Sequence, residues 1–186
     1  MSGQPSSQFE VKKVGEVTIF RLYKRRPYEP QRKPSAKRFF RRLRALIPCQ
    51  AEIIKAEDLE GLILRTFGSD YQYHVLISDE KFRVITREQM EKLLKEDDTD
   101  TLPYISTYGD CDDYSDVLLG QLTRKTWNQG YAIGQIWWYC SEFGHAQNLF
   151  CDGKQIFIVE PQNDDITTWD AIKSQYKDAR AYMVKF

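Results

Sequence analysis

The sequence lacks any apolar run close to the length of about 18 residues or more that a transmembrane helix requires. Its first seven residues are polar, and the apolar core of a secretory signal peptide does not follow them. These two absences predict a cytoplasmic protein. They also make it unlike the secreted domains that disulfide bonds hold together.

Cysteine and histidine are scarce, with four cysteines and two histidines in 186 residues. In a chain that is not secreted, the cysteines are expected to be free thiols, although a bridge between Cys140 and Cys151 on neighbouring predicted strands stays open. A zinc site using Cys111, Cys140, His145 and Cys151 is disfavoured, because these residues lack the close cysteine pairs of zinc fingers.

The formal net charge is zero, but the charges are unevenly distributed. Residues 21–44, here called the basic arm, contain 11 basic residues and one acidic residue. The rest of the chain is therefore acidic on balance. The arm is either a solvated surface with an apolar side on the core, a contact for nucleic acid or another anionic surface, or a contact for a partner protein. No nucleic-acid motif accompanies it.

Length and an apolar content of 41% predict one hydrophobic core. We divide the chain into a basic N-terminal extension at 1–50 and a main domain at 51–186. Within the extension, residue patterns predict three segments, namely a hairpin at 9–23, a proline-rich linker at 24–35 and a short basic helix at 36–47.

Periodicity and turn residues predict the elements of the main domain. A capping box of Thr86 and Gln89 begins one helix, and Asp152-Gly153 predicts a type I′ hairpin turn. The predicted helices cover 86–95 and 112–127. The predicted strands cover 62–67, 71–77, 131–140, 145–151, 155–160 and 181–186.

Three polar positions stand at the edges of these predicted elements. Cys111 directly precedes a helix, so the backbone N–H groups and partial positive charge of the helix N-terminus would favour its thiolate. His145 begins the second predicted strand after this helix, and Glu160 ends the third, which is expected to pair with the second. This order predicts a cysteine nucleophile, a general base and a carboxylate that orients the base.

Acidic residues crowd this cysteine. Asp110, Asp112 and Asp113 would raise the pKa of the thiol, yet carboxylates are also favourable at a helix N-terminus. A second polar run offers oxygen ligands only, and it contains Gln162, Asn163, Asp164 and Asp165. Carboxylate and amide oxygens suit a hard cation such as calcium. The residues alone leave open whether a metal binds.

The motifs Cys-Asp-Asp-Tyr, Gly-His-Ala-Gln-Asn and Glu-Pro-Gln resemble the papain-like C-terminal domain of the Marasmius oreades agglutinin and its phage and bacterial relatives. The resemblance covers residues 85–170 and implies a calcium-dependent cysteine protease with Cys111, His145 and Glu160 as its triad. It implies the metal ligands Asp113, Gln162 and Asp164, with Asp112 and Asp165 as further members. Residues 1–84 do not resemble the agglutinin's β-trefoil, so its carbohydrate binding is not expected here.

Together these observations predict an α+β, papain-like fold, in which an N-terminal nucleophile helix packs on an antiparallel sheet beside a small N-terminal region. The predicted function is a calcium-dependent cysteine peptidase or amidase acting on a protein or peptide substrate. The alternative is a non-catalytic, calcium-stabilised binding or structural module of phage or bacterial type. In that alternative the basic arm binds an anionic partner.

Overall fold

The computed structural model describes residues 8–23 and 52–186. Helices cover a smaller part of these residues than strands and loops do. The helices are α1 (Ala56–Phe67), α2 (Arg87–Leu94), α3 (Cys111–Lys125) and α4 (Trp169–Gln175). The strands are β1 (Gln8–Val14), β2 (Val17–Tyr23), β3 (Ile53–Lys55), β4 (His74–Ile77), β5 (Lys81–Arg83), β6 (Ile133–Tyr139), β7 (Gly144–Cys151), β8 (Ile156–Val159), β9 (Ile166–Thr167) and β10 (Arg180–Lys185).

The main sheet has eight strands in the order β1-β2-β4-β10-β6-β7-β8-β9, and β3 and β5 form a separate pair. Strand β4 is parallel to both of its neighbours, β2 and β10, while the other pairings are antiparallel. Strand β10 therefore lies in the interior of the sheet and joins its two halves.

The predicted fold class is wrong in three respects. The sheet is mixed rather than antiparallel, the helix that carries Cys111 is the third in the chain, and β2 of the N-terminal hairpin is paired directly with β4. Parallel pairing joins segments far apart in sequence, and no local residue pattern encodes it. The division of the chain at residue 50 stays a prediction.

Most of the predicted elements have counterparts in the structure, and the exceptions have physical causes. Residues 62–67 belong to α1 rather than to a strand, because Leu59, Ile63 and Phe67 are buried at helical spacing. The β7–β8 hairpin forms as expected. Its turn is not type I′, because only Gly153 has a positive φ and the carboxylate of Asp152 caps the turn instead.

Helices cover both faces of the sheet, and strand alternation divides the core accordingly. On β7, Leu149 packs in the cluster that includes residues of α1 and α4, whereas Phe150 packs in the cluster that includes residues of α2 and α3. Burial of each such side chain contributes about 1.5–3 kcal/mol. The second cluster, which contains Leu118 and Leu122, packs α3 against the sheet.

A buried ion pair fastens the N-terminal hairpin to α1. Glu60, only 4% exposed, accepts a hydrogen bond from Lys12 Nζ at 2.8 Å and pairs with the guanidinium of Arg21. Arg21 also contacts the exposed Glu57 at 3.1 Å. A charge buried at this depth is tolerated only when it is paired. The ion pair therefore fixes where the hairpin lies on α1.

The predicted linker at 24–35, the predicted helix at 36–47, Cys49 and nearly all of the basic arm lie outside the described residues. Across residues 8–23 and 52–186, no helix combines the length and the apolar character needed to cross a membrane.

Replacing Glu60 with Ala is expected to lower the free energy of unfolding by about 3 kcal/mol. This is the lower end of the range for breaking a buried ion pair, because Arg21 still pairs with Glu57 in the variant. Glu57→Ala on the same helix is the matched control and should cost about 1 kcal/mol or less, because that carboxylate is exposed. Urea titration followed by circular dichroism measures both. Equal losses would show that the buried pair does not fasten the hairpin.

Candidate functional site

The start of α3 is built from acidic capping residues. Asp110 and Asp113 form a capping box, in which Asp113 Oδ2 accepts from the Asp110 N–H at 3.3 Å. Asp110 Oδ2 also accepts from the Thr107 N–H at 3.2 Å, and Thr107 has a left-handed φ of 77°. These contacts fix the direction in which the chain enters the helix and thereby place Cys111 in the first turn.

Two buried amide side chains hold α3 against the sheet. Gln135 Nε2 donates to Ser115 Oγ at 3.1 Å and to Asp116 Oδ1 at 2.7 Å. Asn148 Nδ2 donates to the Ser115 carbonyl at 2.9 Å. Gln135 and Asn148 are register partners on β6 and β7. The helix is thus fixed to both strands within one turn of Cys111.

His145 and Glu160 meet as the sequence predicts. His145 Nε2 lies 2.7 Å from Glu160 Oε2, and each side chain is 19% exposed. The register of β7 and β8 pairs Asn148 with Val159. Residue 160 therefore falls opposite residue 147, and His145 is two positions away on the same face. The Nδ1 atom of the imidazole takes no part in this contact.

Two further residues complete this site, and neither was predicted from the sequence. Gln147 Nε2 donates to Glu160 Oε2 at 2.9 Å, and Trp138 Nε1 donates to Gln147 Oε1 at 2.8 Å. The Gln162 N–H donates to the other oxygen of Glu160 at 3.3 Å. The signal for Gln147 was present in the sequence, because strand residues two apart share a face. We call Trp138, His145, Gln147 and Glu160 the Glu160 network.

Cys111 lies beside this network but is not hydrogen-bonded to it. The thiol is partly buried, and among the described residues no hydrogen bond joins it to His145. Burial raises the pKa of Cys111; the Ala146 backbone N–H opposes this rise, and the charges of Asp110 and Asp112 add to it. The thiol therefore ionises less readily than an exposed cysteine does. Cys140 and Cys151 are also free thiols, as predicted.

Asp110 and Asp112 form a first acidic group around the thiol. Their ligand atoms and the Cys111 sulfur lie within 4.8 Å of one another. A hydrogen bond from one carboxyl group to the other raises the pKa of Asp112 and lowers that of Asp110. When this pair binds one proton, the proton therefore lies on Asp112 and is donated to Asp110.

Asp164 is the centre of a second acidic group that the sequence identified only in part. Burial raises the pKa of Asp164, and the charges of Asp100, Asp97 and Asp165 raise it further while Lys125 lowers it. Asp164 also has a left-handed φ of 62°. Asp97 and Asp100 were not predicted, since more than 60 residues separate them from Asp164 in the chain.

The predicted metal ligands are distributed over these two groups. Asp112 lies beside Asp110, and Asp113 serves as a helix cap. Asp165 accepts from Asn163 Nδ2 at 2.9 Å. No hydrogen bond or ion pair between described residues connects Asp112 or Asp113 with residues 162–165. Their assignment as ligands stays a prediction.

The similar solved structures include two chains that share the fold. One is a complex of PSL1a with E64, with a TM-score of 0.60 and 22% identity, covering 72% of this chain and 51% of that chain. The other is Polyporus squamosus lectin bound to the human-type influenza-binding epitope Neu5Acα2-6Galβ1-4GlcNAc, with a TM-score of 0.58 and 22% identity, covering 72% of this chain and 49% of that chain. This chain spans about half the length of each.

No family model matches the sequence, and no curated protein matches it either. What is shown is a lectin-like fold. The prediction of a papain-like, calcium-dependent cysteine peptidase is wrong by this comparison, because both of these structures are lectin chains and neither is described as a protease.

Because its pKa is raised, Cys111 is expected to react with iodoacetamide slowly at neutral pH and to reach half of its maximal rate above the pH typical of an exposed thiol. Asp112→Asn should move this midpoint to lower pH, because it removes one of the charges that raise the pKa. Peptide mass mapping gives the rate for Cys111 apart from the buried Cys140 and Cys151. A midpoint below that of an ordinary thiol would contradict the expectation.

Proposed function

We propose that this protein is a non-catalytic binding module whose ligand site is the Glu160 network together with the adjoining Cys111. The observation that supports this is the fixed orientation of Glu160, which accepts from His145 and Gln147 at one oxygen and from the Gln162 N–H at the other. A carboxylate held in this way presents its charge in one fixed direction. Because the Glu160 side chain is already held by these hydrogen bonds, ligand binding costs little further conformational entropy at this residue.

The proposed ligand is a glycan. Carboxylate, imidazole and amide groups offer the donors and acceptors that sugar hydroxyl groups require. Beside them lies the ring of Phe143, which is 39% exposed and 6.4 Å from the ring of His145. Tyr176 and Trp138 hold this ring edge-on at 5.3 Å and 5.6 Å. An exposed apolar ring next to fixed polar groups suits a ligand with both hydroxyl and C–H surfaces.

One of the similar structures supplies the probe for this proposal. Polyporus squamosus lectin carries a sialylated trisaccharide, and PSL1a carries E64. These ligands belong to chains about twice as long as the matched region, so the present chain needs its own measurement.

We further propose that calcium binds at the acidic residues and stabilises this site. The candidate ligands are those that the sequence predicted, namely Asp112, Asp113, Gln162, Asp164 and Asp165. The raised pKa of Asp164 supports the proposal, because its cause is burial beside other carboxylates with one lysine for compensation. A hard cation with oxygen ligands would relieve this repulsion.

Calorimetric titration with Neu5Acα2-6Galβ1-4GlcNAc tests the ligand site. Glu160→Gln is expected to weaken binding by about tenfold or more, since a fixed charged acceptor contributes more than a neutral one. Glu142→Gln is the matched control, because Glu142 is exposed and lies just before β7. It should leave affinity unchanged.

Two results would contradict the binding proposal. The first is equal affinity for the wild-type protein and Glu160→Gln, or no binding of the trisaccharide by the wild-type protein. The second is cleavage of a peptide library that disappears in Cys111→Ala, which would establish catalysis at this site.

The melting temperature with and without calcium tests the metal. A raised pKa means that the charged form of Asp164 is disfavoured in the folded state. The folded state therefore loses stability as the pH rises and this carboxyl group ionises. Asp164→Asn should therefore raise the melting temperature in chelator at neutral pH, and asparagine tolerates the left-handed φ. Calcium should raise the wild-type value and raise that of the variant less.

Asp170→Asn is the control for this change, because it removes an exposed carboxylate in the first turn of α4. It should lower the melting temperature slightly in chelator, since it removes a favourable charge at a helix N-terminus, and it should leave the calcium response intact. Identical wild-type melting temperatures in chelator and in calcium would disprove the metal proposal.

A further inference from the structure

Strand β1 forms one edge of the eight-stranded sheet, and no described strand pairs with its outer side. The opposite edge is β9, which is only two residues long. A strand this short gives another chain little to pair with. Strand β1 is seven residues long, contains no proline and pairs with β2 without a bulge. It therefore lacks three of the features that usually protect the edge of a sheet.

The unpaired backbone groups of this edge follow from the register of the hairpin. Thr18 lies opposite Lys13, and its N–H donates away from β1 to the Tyr73 carbonyl at 3.0 Å. Lys13 and Thr18 are therefore not hydrogen-bonded to each other, and every second position of an antiparallel pair repeats this arrangement. The N–H and C=O groups of Phe9, Val11 and Lys13 consequently point outward. Each of these residues offers one donor and one acceptor to an added strand.

The position of this edge is fixed before any partner binds. Lys12 of β1 and Arg21 of β2 both pair with the buried carboxylate of Glu60 on α1. The hairpin is therefore held on the helix from both of its strands. A binding surface that is already ordered loses little conformational entropy when a ligand binds, so most of the ordering cost falls on the ligand.

Side chains along β1 indicate which kind of segment fits. Val11 is 51% exposed, and Lys13, which shares its face of the sheet, is also exposed. Lys13 makes no salt bridge with any described residue, whereas Lys12 pairs with Glu60. Strand β1 carries two lysines and one glutamate. An acidic segment is therefore more complementary to this edge than a second copy of β1 is.

We propose that the outer edge of β1 binds an extended, acidic segment of a partner protein as a ninth strand of the sheet. The segment runs antiparallel to β1, because antiparallel pairing is slightly the more stable. It places an acidic side chain opposite Lys13 and an apolar side chain opposite Val11. Main-chain hydrogen bonds provide the affinity, and these two side-chain pairs provide the specificity. Strands β2, β4 and β10 separate this edge from the Glu160 network.

Fluorescence anisotropy of a labelled peptide, titrated with the full chain, tests the edge. The probe is the acetylated peptide Thr-Glu-Thr-Val-Thr-Val, whose first valine lies opposite Val11 when its glutamate lies opposite Lys13. Saturable binding is expected. Methylating the backbone nitrogens of the glutamate and the first valine should abolish it, because these N–H groups face β1. Methylating the second and third threonines is the matched control and should leave binding intact, since their N–H groups face solvent.

Charge reversal tests the predicted register. Lys13→Glu is expected to weaken binding of the probe by about fivefold, because it places like charges opposite each other across two strands. A second peptide with lysine in place of glutamate should bind Lys13→Glu about as tightly as the first peptide binds the wild-type protein. A loss of fold would not produce this recovery.

Proline substitution tests the backbone of β1 itself. Val11→Pro removes an outward N–H that the hairpin does not use, so it should abolish peptide binding and leave the protein folded. Val11→Thr keeps the N–H and a β-branched side chain, and it should bind the probe within about twofold of the wild-type protein. Circular dichroism establishes that both variants are folded.

Three results would overturn the proposal. One is the absence of saturable peptide binding by the wild-type protein. Another is equal binding of the two methylated peptides, which would show that the backbone groups of β1 take no part. The third is self-association of the wild-type protein that Val11→Pro removes, because the edge would then belong to a second copy of this chain. Sedimentation velocity without peptide measures that self-association.

Discussion

The anchoring of α3 by Gln135 and Asn148 is the constraint on which the remaining features depend. Both amides donate to the second turn of the helix from neighbouring strands. A buried polar group is costly unless it is hydrogen-bonded, so any other orientation of α3 would leave two donors unsatisfied. This single arrangement places Cys111 beside the Glu160 network. It also determines which face of α3 is left to solvent.

Electrostatic repulsion is the second constraint, and it acts against the first. The anchored helix brings the carboxyl groups of Asp110 and Asp112 together beside a thiol, and the turn after β8 brings Asp164 toward Asp97 and Asp100. In each group the pKa of one carboxyl group is raised. The folded chain therefore holds negative charge at a free-energy cost. A bound cation would reduce that cost, whereas the single amine of Lys125 reduces it only in part.

Local features were predictable from the sequence because short-range chemistry determines them. The capping box at Thr86 is present, with both of its hydrogen bonds. The meeting of His145 and Glu160 followed from counting outward along a hairpin, even though the predicted turn type was wrong. The alternation of a strand fixes which residues share a face, and a change in the turn residues does not alter it.

Features that depend on distant parts of the chain were not predictable in this way. Asp97 and Asp164 come together only because α2 and the turn after β8 pack on the same face of the sheet. The parallel pairing of β4 with β2 and β10 has no local signature either. The peptidase prediction failed at another level, because it transferred an activity from short motifs. A shared order of residue types does not establish a shared chemistry.

The interior position of β10 has a consequence for synthesis on the ribosome. This strand follows all the other described strands in the chain, yet it lies between β4 and β6. Until it has left the exit tunnel, the sheet exists only as two separate halves, each with an open edge. Open edges invite pairing with other chains. The nascent protein is therefore most vulnerable to aggregation just before β10 emerges, and a chaperone that binds extended segments would protect it at that stage.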